Sequence, residues 1–138
     1  MKYIYEIKMR KWGISRRLFI TIKHNINDFP ILTTFINIDI GIQAEDVLNL
    51  LNNIKKVLNN QSQKYDWLGE ICAIYVCKEK CMIVDTLSGF NYDDDYNYDY
   101  PHVTPPDICN YEEIETAELK EILEAWYDAV TNACNLSD

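Results

Sequence analysis

The stretch Gly69-Glu70-Ile71-Cys72-Ala73-Ile74-Tyr75-Val76-Cys77-Lys78-Glu79-Lys80-Cys81-Met82-Ile83-Val84-Asp85-Thr86 decides the fold class. It holds two short apolar runs around a three-residue polar break, Lys78-Glu79-Lys80. Runs of this length, rich in β-branched residues and bounded by turn chemistry, read as strands. The reading is therefore two strands, Gly69 to Cys77 and Cys81 to Thr86, folded back on each other as a hairpin. The dense run Ile71-Cys72-Ala73-Ile74-Tyr75-Val76 has no polar alternation, which predicts a central strand covered on both faces. Cys77 and Cys81 are expected to face each other across the hairpin.

Upstream lies a helix. Val47, Leu50, Leu51, Ile54, Val57 and Leu58 recur at three and four spacing with Asn and Lys between them, the signature of one apolar stripe. Glu45 and Asp46 open it and Lys55 and Lys56 close it, as the helix dipole favours. Asn59-Asn60-Gln61-Ser62-Gln63 is its exit loop. Before the helix, Ile31 to Ile40 is rich in Ile, Thr and Phe and reads as a strand ending at Gly41. Residues 2–9 alternate, with Tyr3, Tyr5, Ile7 and Met9 on one face, and read as a half-buried strand. Leu18-Phe19-Ile20-Thr21-Ile22-Lys23 hairpins back on it through a turn broken at Gly13. Downstream, Leu119, Ile122, Leu123, Trp126 and Val130 mark a closing helix with Thr116 as its expected N-cap. Glu112, Glu113, Glu115, Glu118, Glu121 and Glu124 are expected to make its approach and outer face negative. No internal repeat or second domain is visible, so residues 1–138 form a single domain. The expected architecture is α+β: an about five-stranded, mostly antiparallel sheet with two helices packed on it and a long acidic loop over residues 88–110.

The chain has 138 residues and is 48% hydrophobic, enough for one core without staples and too apolar for a disordered chain. Its net charge of −9 argues against an ordinary basic nucleic-acid binder and against docking on anionic membranes. The distribution is more informative than the sum. Residues 1–24 carry seven basic side chains and one acidic, whereas residues 84–138 carry one basic, Lys120, and fourteen acidic. The start has no signal-peptide pattern, and no run approaches a membrane span, so a cytoplasmic location is expected. An odd count of five cysteines (Cys72, Cys77, Cys81, Cys109, Cys134) fits reduced thiols rather than a disulfide scaffold.

The residues that could carry chemistry are few. The four glycines are isolated, so no phosphate-cradling loop is present, and no serine sits in a nucleophile elbow. His24 and His102 lack a partner at a recognisable spacing, although Asp99 stands near His102 in sequence. Asp93, Asp95, Asn97 and Asp99 match the first four odd positions of a calcium hand. Tyr98 and Thr104 then stand where that loop needs glycine and glutamate. No metal and no cofactor is expected, and the chain reads as a non-enzyme.

What remains is the tract Tyr92-Asp93-Asp94-Asp95-Tyr96-Asn97-Tyr98-Asp99-Tyr100. Tyrosine offers a large contact area at low entropy cost, and aspartate reaches arginine and lysine through charge-assisted hydrogen bonds. Interleaved rings and carboxylates imitate a phosphate backbone with its bases. The candidate partner-binding residues are Tyr92, Asp93, Asp94, Asp95, Tyr96, Tyr98, Asp99 and Tyr100, with Glu112 and Glu113 behind them.

The basic strand-rich start, the Ile31–Ile40 segment, the acidic Tyr/Asp tract and the closing segment Ile114-Glu115-Thr116-Ala117-Glu118-Leu119 through Trp126 together resemble an immunity protein of a bacterial toxin system. The likeness is nearest to those of contact-dependent growth inhibition. The resemblance implies a bacterial cytoplasmic protein that binds and neutralises a cognate toxin domain, expected to be a basic nuclease. The net charge leaves nucleic acid and membrane outside its expected direct partners. Immunity proteins share no single motif, so no site residue is carried over. Two other classes fit the sequence: a general nucleic-acid mimic of the antirestriction kind, and a small enzyme using His102.

Overall fold

A computed structural model describes residues 3–23, 31–85 and 111–132, apart from the side chains of Trp12 and Ser15. The fold is α+β, with two antiparallel sheets and three helical segments among the described residues. The first sheet is a hairpin of β1 (Ile4–Trp12) and β2 (Ser15–Lys23). Its connection is the two-residue turn Gly13-Ile14, where Gly13 takes φ +66°, a conformation that glycine adopts without a Cβ penalty. Both strands run further toward the turn than the alternation indicates. Leu18, Ile20 and Ile22 of β2 point into the core.

The second sheet has the order β3-β4-β5-β6, every pair antiparallel: β3 (Lys64–Leu68), β4 (Cys72–Cys77), β5 (Lys80–Asp85) and β6 (Tyr111–Glu115). The expected central hairpin is present. Cys72 through Val76 are buried without alternation, as a strand covered on both faces must be. The turn is tighter than expected, and Cys81 lies opposite Val76 rather than Cys77, because the connection is only Lys78-Glu79 and Lys80 is already the first residue of β5. One face gathers Cys72, Ile74, Val76, Cys81, Ile83 and Ile114 into a core shared with the helices and β2.

Three expectations are corrected. Ile31–Ile40 is not a strand. It is a short helix α1 (Ile31–Thr34) running into a π-helical turn (Phe35–Ile40). Leu32, Phe35, Ile36 and Ile40 are buried, at helical and not alternating spacing. The single five-stranded sheet with two helices becomes two sheets, because this segment leaves the sheet while β3 and β6 join it. Residues 64–68 and 111–115 were hidden between a loop and a helix approach. Finally, Thr116 is the first residue of α3 (Thr116–Thr131) and does not act as an N-cap. Its hydroxyl donates to the Cys77 carbonyl at 2.6 Å, and its N–H donates to Glu79 O at 3.0 Å. These bonds pin the start of α3 to the β4–β5 turn.

Helix α2 (Ala44–Leu58) follows the sequence closely, burying Val47, Leu50, Leu51, Ile54 and Val57. It ends in a Schellman arrangement: Asn60 at φ 63°, Gln61 N–H donating to Lys56 O at 2.8 Å and Asn60 N–H to Val57 O at 3.2 Å. Helix α3 buries Leu119, Ile122, Leu123 and Trp126, as its stripe predicts. The fully buried Trp126 donates its indole N–H to Gly41 O at 2.9 Å, which ties α3 to the end of the π turn.

Candidate functional site

Tyr92, Asp93, Asp94, Asp95, Tyr96, Tyr98, Asp99 and Tyr100, together with His24, His102, Cys109 and Cys134, lie outside the described residues. Glu112 and Glu113 are described, on β6, the strand that follows the Tyr/Asp tract. Tyr111, Glu113 and Glu115 are exposed, while Glu112 and Ile114 turn inward. This alternation divides two adjacent glutamates by role.

Glu112 faces the helical layer. Its Oε1 accepts from the Leu32 N–H at 2.8 Å and its Oε2 from the Ile31 N–H at 3.2 Å. A carboxylate at the start of α1 supplies acceptors that the helix lacks there. Burial raises its pKa above the ordinary value, and the two backbone bonds pull the other way. Glu113 offers its carboxylate outward, and its backbone carbonyl accepts from the Tyr3 hydroxyl at 3.3 Å. Glu118, expected on the outer face of α3, is buried and accepts from the Tyr3 N–H. The outer face is thus less negative than expected by one carboxylate. Burial, with Glu112 and then Glu118 nearby, raises the Tyr3 hydroxyl pKa well above its ordinary value.

The exposed acids around β6 are Glu113 and Glu115, with Glu121 and Asp128 along α3. Within the sheet, β6 pairs only with β5 among the described residues, so it forms one edge. Glu124 is paired at the surface with Lys120 at 3.2 Å and Lys55 at 3.8 Å. An edge strand with outward carboxylates resists unspecific strand pairing and presents a negative face.

The thiols present no catalytic arrangement among the described residues. Cys72, Cys77 and Cys81 are thiols and form no disulfide. Burial pushes Cys72 and Cys81 up to about 12, with the Asp39 charge adding at Cys72, and raises Cys77 as well. Such thiols stay protonated at neutral pH and are poor nucleophiles. Among the described residues no cluster of His, Cys, Asp and Glu converges to hold a metal. No helix there is long and apolar enough to cross a membrane.

Sequence reasoning missed two polar anchors. The Asn37 side chain, on the π turn, accepts from the Ile20 N–H at 2.9 Å and donates to the Ile20 carbonyl at 2.8 Å. It thereby completes the hydrogen bonding of β2 where a further strand would. Asp39 accepts from the N–H groups of Glu70 (3.1 Å), Ile71 (3.1 Å) and Cys72 (2.6 Å), organising the entry to β4. Their signal was polar residues interrupting an otherwise apolar run. Compared with known protein families, curated proteins and solved structures, the chain matches none.

Proposed function

We propose that the chain is an immunity protein of the contact-dependent growth inhibition type, which binds and neutralises a cognate basic nuclease toxin domain in the cytoplasm of the producing bacterium. The observation that carries this reading is the concentration of charge. Fourteen acidic side chains stand against one basic over residues 84–138. The Tyr/Asp tract within them leads into the edge strand β6 with Glu113 and Glu115 exposed. Aspartates engage the cationic cleft that otherwise holds phosphates, and the tyrosines supply desolvated anchors at the centre of the contact. The protein neutralises its target by occupying it and needs no catalytic group.

The test is co-purification from the native host, followed by affinity measurement with the toxin domain recovered. Asp93→Lys with Asp95→Lys is expected to weaken binding by at least about tenfold while thermal unfolding stays nearly unchanged. Wild-type affinity in the double variant removes the tract from the account. Recovery of several unrelated DNA-binding proteins in place of one toxin favours a general nucleic-acid mimic instead.

A further inference from the structure

We propose that the tip of the β1–β2 hairpin is a docking surface for an anionic lipid bilayer. The hairpin Ile4–Lys23 carries six basic side chains (Lys8, Arg10, Lys11, Arg16, Arg17, Lys23) and one acidic, Glu6. Glu6 sits well back from the turn and pairs with Lys8 at 3.2 Å. Leu18, opposite Met9, is the last side chain of β2 that the core buries. Beyond it stand three cross-strand pairs, Arg10 with Arg17, Lys11 with Arg16 and Trp12 with Ser15, and then the turn. At about 3.3 Å per residue the tip extends roughly 10 Å past the core.

Two features of this tip are not what folding alone favours. Consecutive rungs set like charges directly opposite each other, which destabilises a strand pair. At the turn, Ile14 is fully exposed. A lone exposed isoleucine is ordinary, but this one occupies the extreme end of a ribbon, between Lys11 and Arg16. Behind them Arg17 reaches back to Asn37 O at 2.5 Å and the Arg10 guanidinium lies 4.2 Å from the centre of the Phe19 ring, which fixes the base of the tip on the body of the protein. Cations at the level of anionic headgroups, with an aliphatic side chain reaching the acyl boundary, are what a bilayer surface accepts.

The sum of the charge argues against a membrane, but its placement reverses the argument locally. A chain at −9 with a hairpin at +5 leaves −14 elsewhere. An end-on approach meets the surface with the tip first, with the buried part of the hairpin about one screening length behind at 0.1 M salt. A nucleic-acid duplex fits less well. It is a long polyanion that also confronts the acidic remainder, and a side chain entering it has to unstack bases.

The experiment is co-sedimentation of the full chain with vesicles in 0.1 M salt. One set is phosphatidylcholine alone, and the other contains about 30% phosphatidylserine. Binding is expected only to the second set and is expected to weaken at high salt. Ile14→Asp and, separately, Lys11→Glu are each expected to reduce the bound fraction roughly tenfold. Ile14→Asp alters a side chain with no burial to lose, so circular dichroism should confirm an unchanged fold. Absence of vesicle binding, equal binding to both vesicle sets, or wild-type binding by both variants overturns the proposal. So does binding to a labelled duplex, without vesicle binding, that both substitutions abolish; that result assigns the tip to nucleic acid.

Discussion

Asn37 shows how much of this fold hangs on single polar side chains. Its amide satisfies both backbone groups of the fully buried Ile20. Asn37→Ala leaves a buried donor and acceptor unpaired, each worth about 1–3 kcal/mol. We expect a loss on the order of 3 kcal/mol in urea unfolding, whereas Asn53→Ala, on the exposed face of α2, should change little. Gly69 makes the same point through space. A Cβ there would stand 2.6 Å from both the Asp39 carboxylate and the Trp67 ring. Neither can yield freely: Asp39 holds three backbone N–H groups, and Trp67 packs edge-on against Phe35 with centroids 5.4 Å apart. Gly69→Ala should destabilise by about 1–3 kcal/mol, and a melting curve unchanged from wild type would contradict this packing. Glu112 gives a pH signature. Its folded pKa lies above the ordinary 4.5, so the folded state binds the proton more tightly than the unfolded state does. Stability is then highest below 4.5 and falls as pH rises through the interval up to the raised value. Replacing the ionisable group in Glu112→Gln should remove that part of the slope in unfolding free energy measured from pH 4 to 8.

At the scale of elements, helices α2 and α3 and the β4–β5 hairpin were legible because each carries a pattern that its final environment does not override. Val47 through Val57 and Leu119 through Trp126 keep helical spacing over several turns, and that spacing survives into the buried set. The segment Ile31–Ile40 was not legible as a helix, since its β-branched composition favours a strand and tertiary packing decided otherwise. The deciding contacts are long-range: Asn37 to Ile20, Trp126 to Gly41 and Glu112 to Ile31 and Leu32. Local propensity contains none of these. The strands β3 and β6 were missed for a related reason. Each is five residues long, lies at an edge and buries at most alternate positions, so its apolar signal is thin. For the candidate site, sequence marked Glu112 and Glu113 as one acidic pair, and the pleat of β6 separates them into an inward anchor and an outward charge. The indole of Trp126 checks the connection between elements. Trp126→Phe keeps most of the apolar area but strands the Gly41 carbonyl, and should cost about 1–3 kcal/mol. Hydrogen exchange at Ile40 and Gly41 should rise more than at α2 if the loss is local to the π turn.

The whole molecule is divided electrically, and the division yields its most accessible measurement. The hairpin carries +5 within Ile4–Lys23, while residues 84–138 carry −13. In the proposed complex, the acidic third steers a basic toxin domain toward the Tyr/Asp tract before any close contact forms. Such steering lies in the encounter and so in the association rate, whereas the short-range contacts of the tyrosines govern dissociation. Exposed charges are screened over about 10 Å at 0.1 M salt and about 3 Å at 1 M. Raising salt across that range should slow association steeply while the dissociation rate changes far less. Stopped-flow mixing of the chain with the toxin domain recovered from the native host measures both rates. Glu113→Lys, on the exposed side of β6 and opposite Met82, should lower the association rate and flatten its salt dependence without lowering the melting temperature. An association rate indifferent to salt, in the wild type, would show that the asymmetry in charge plays no part in finding the partner.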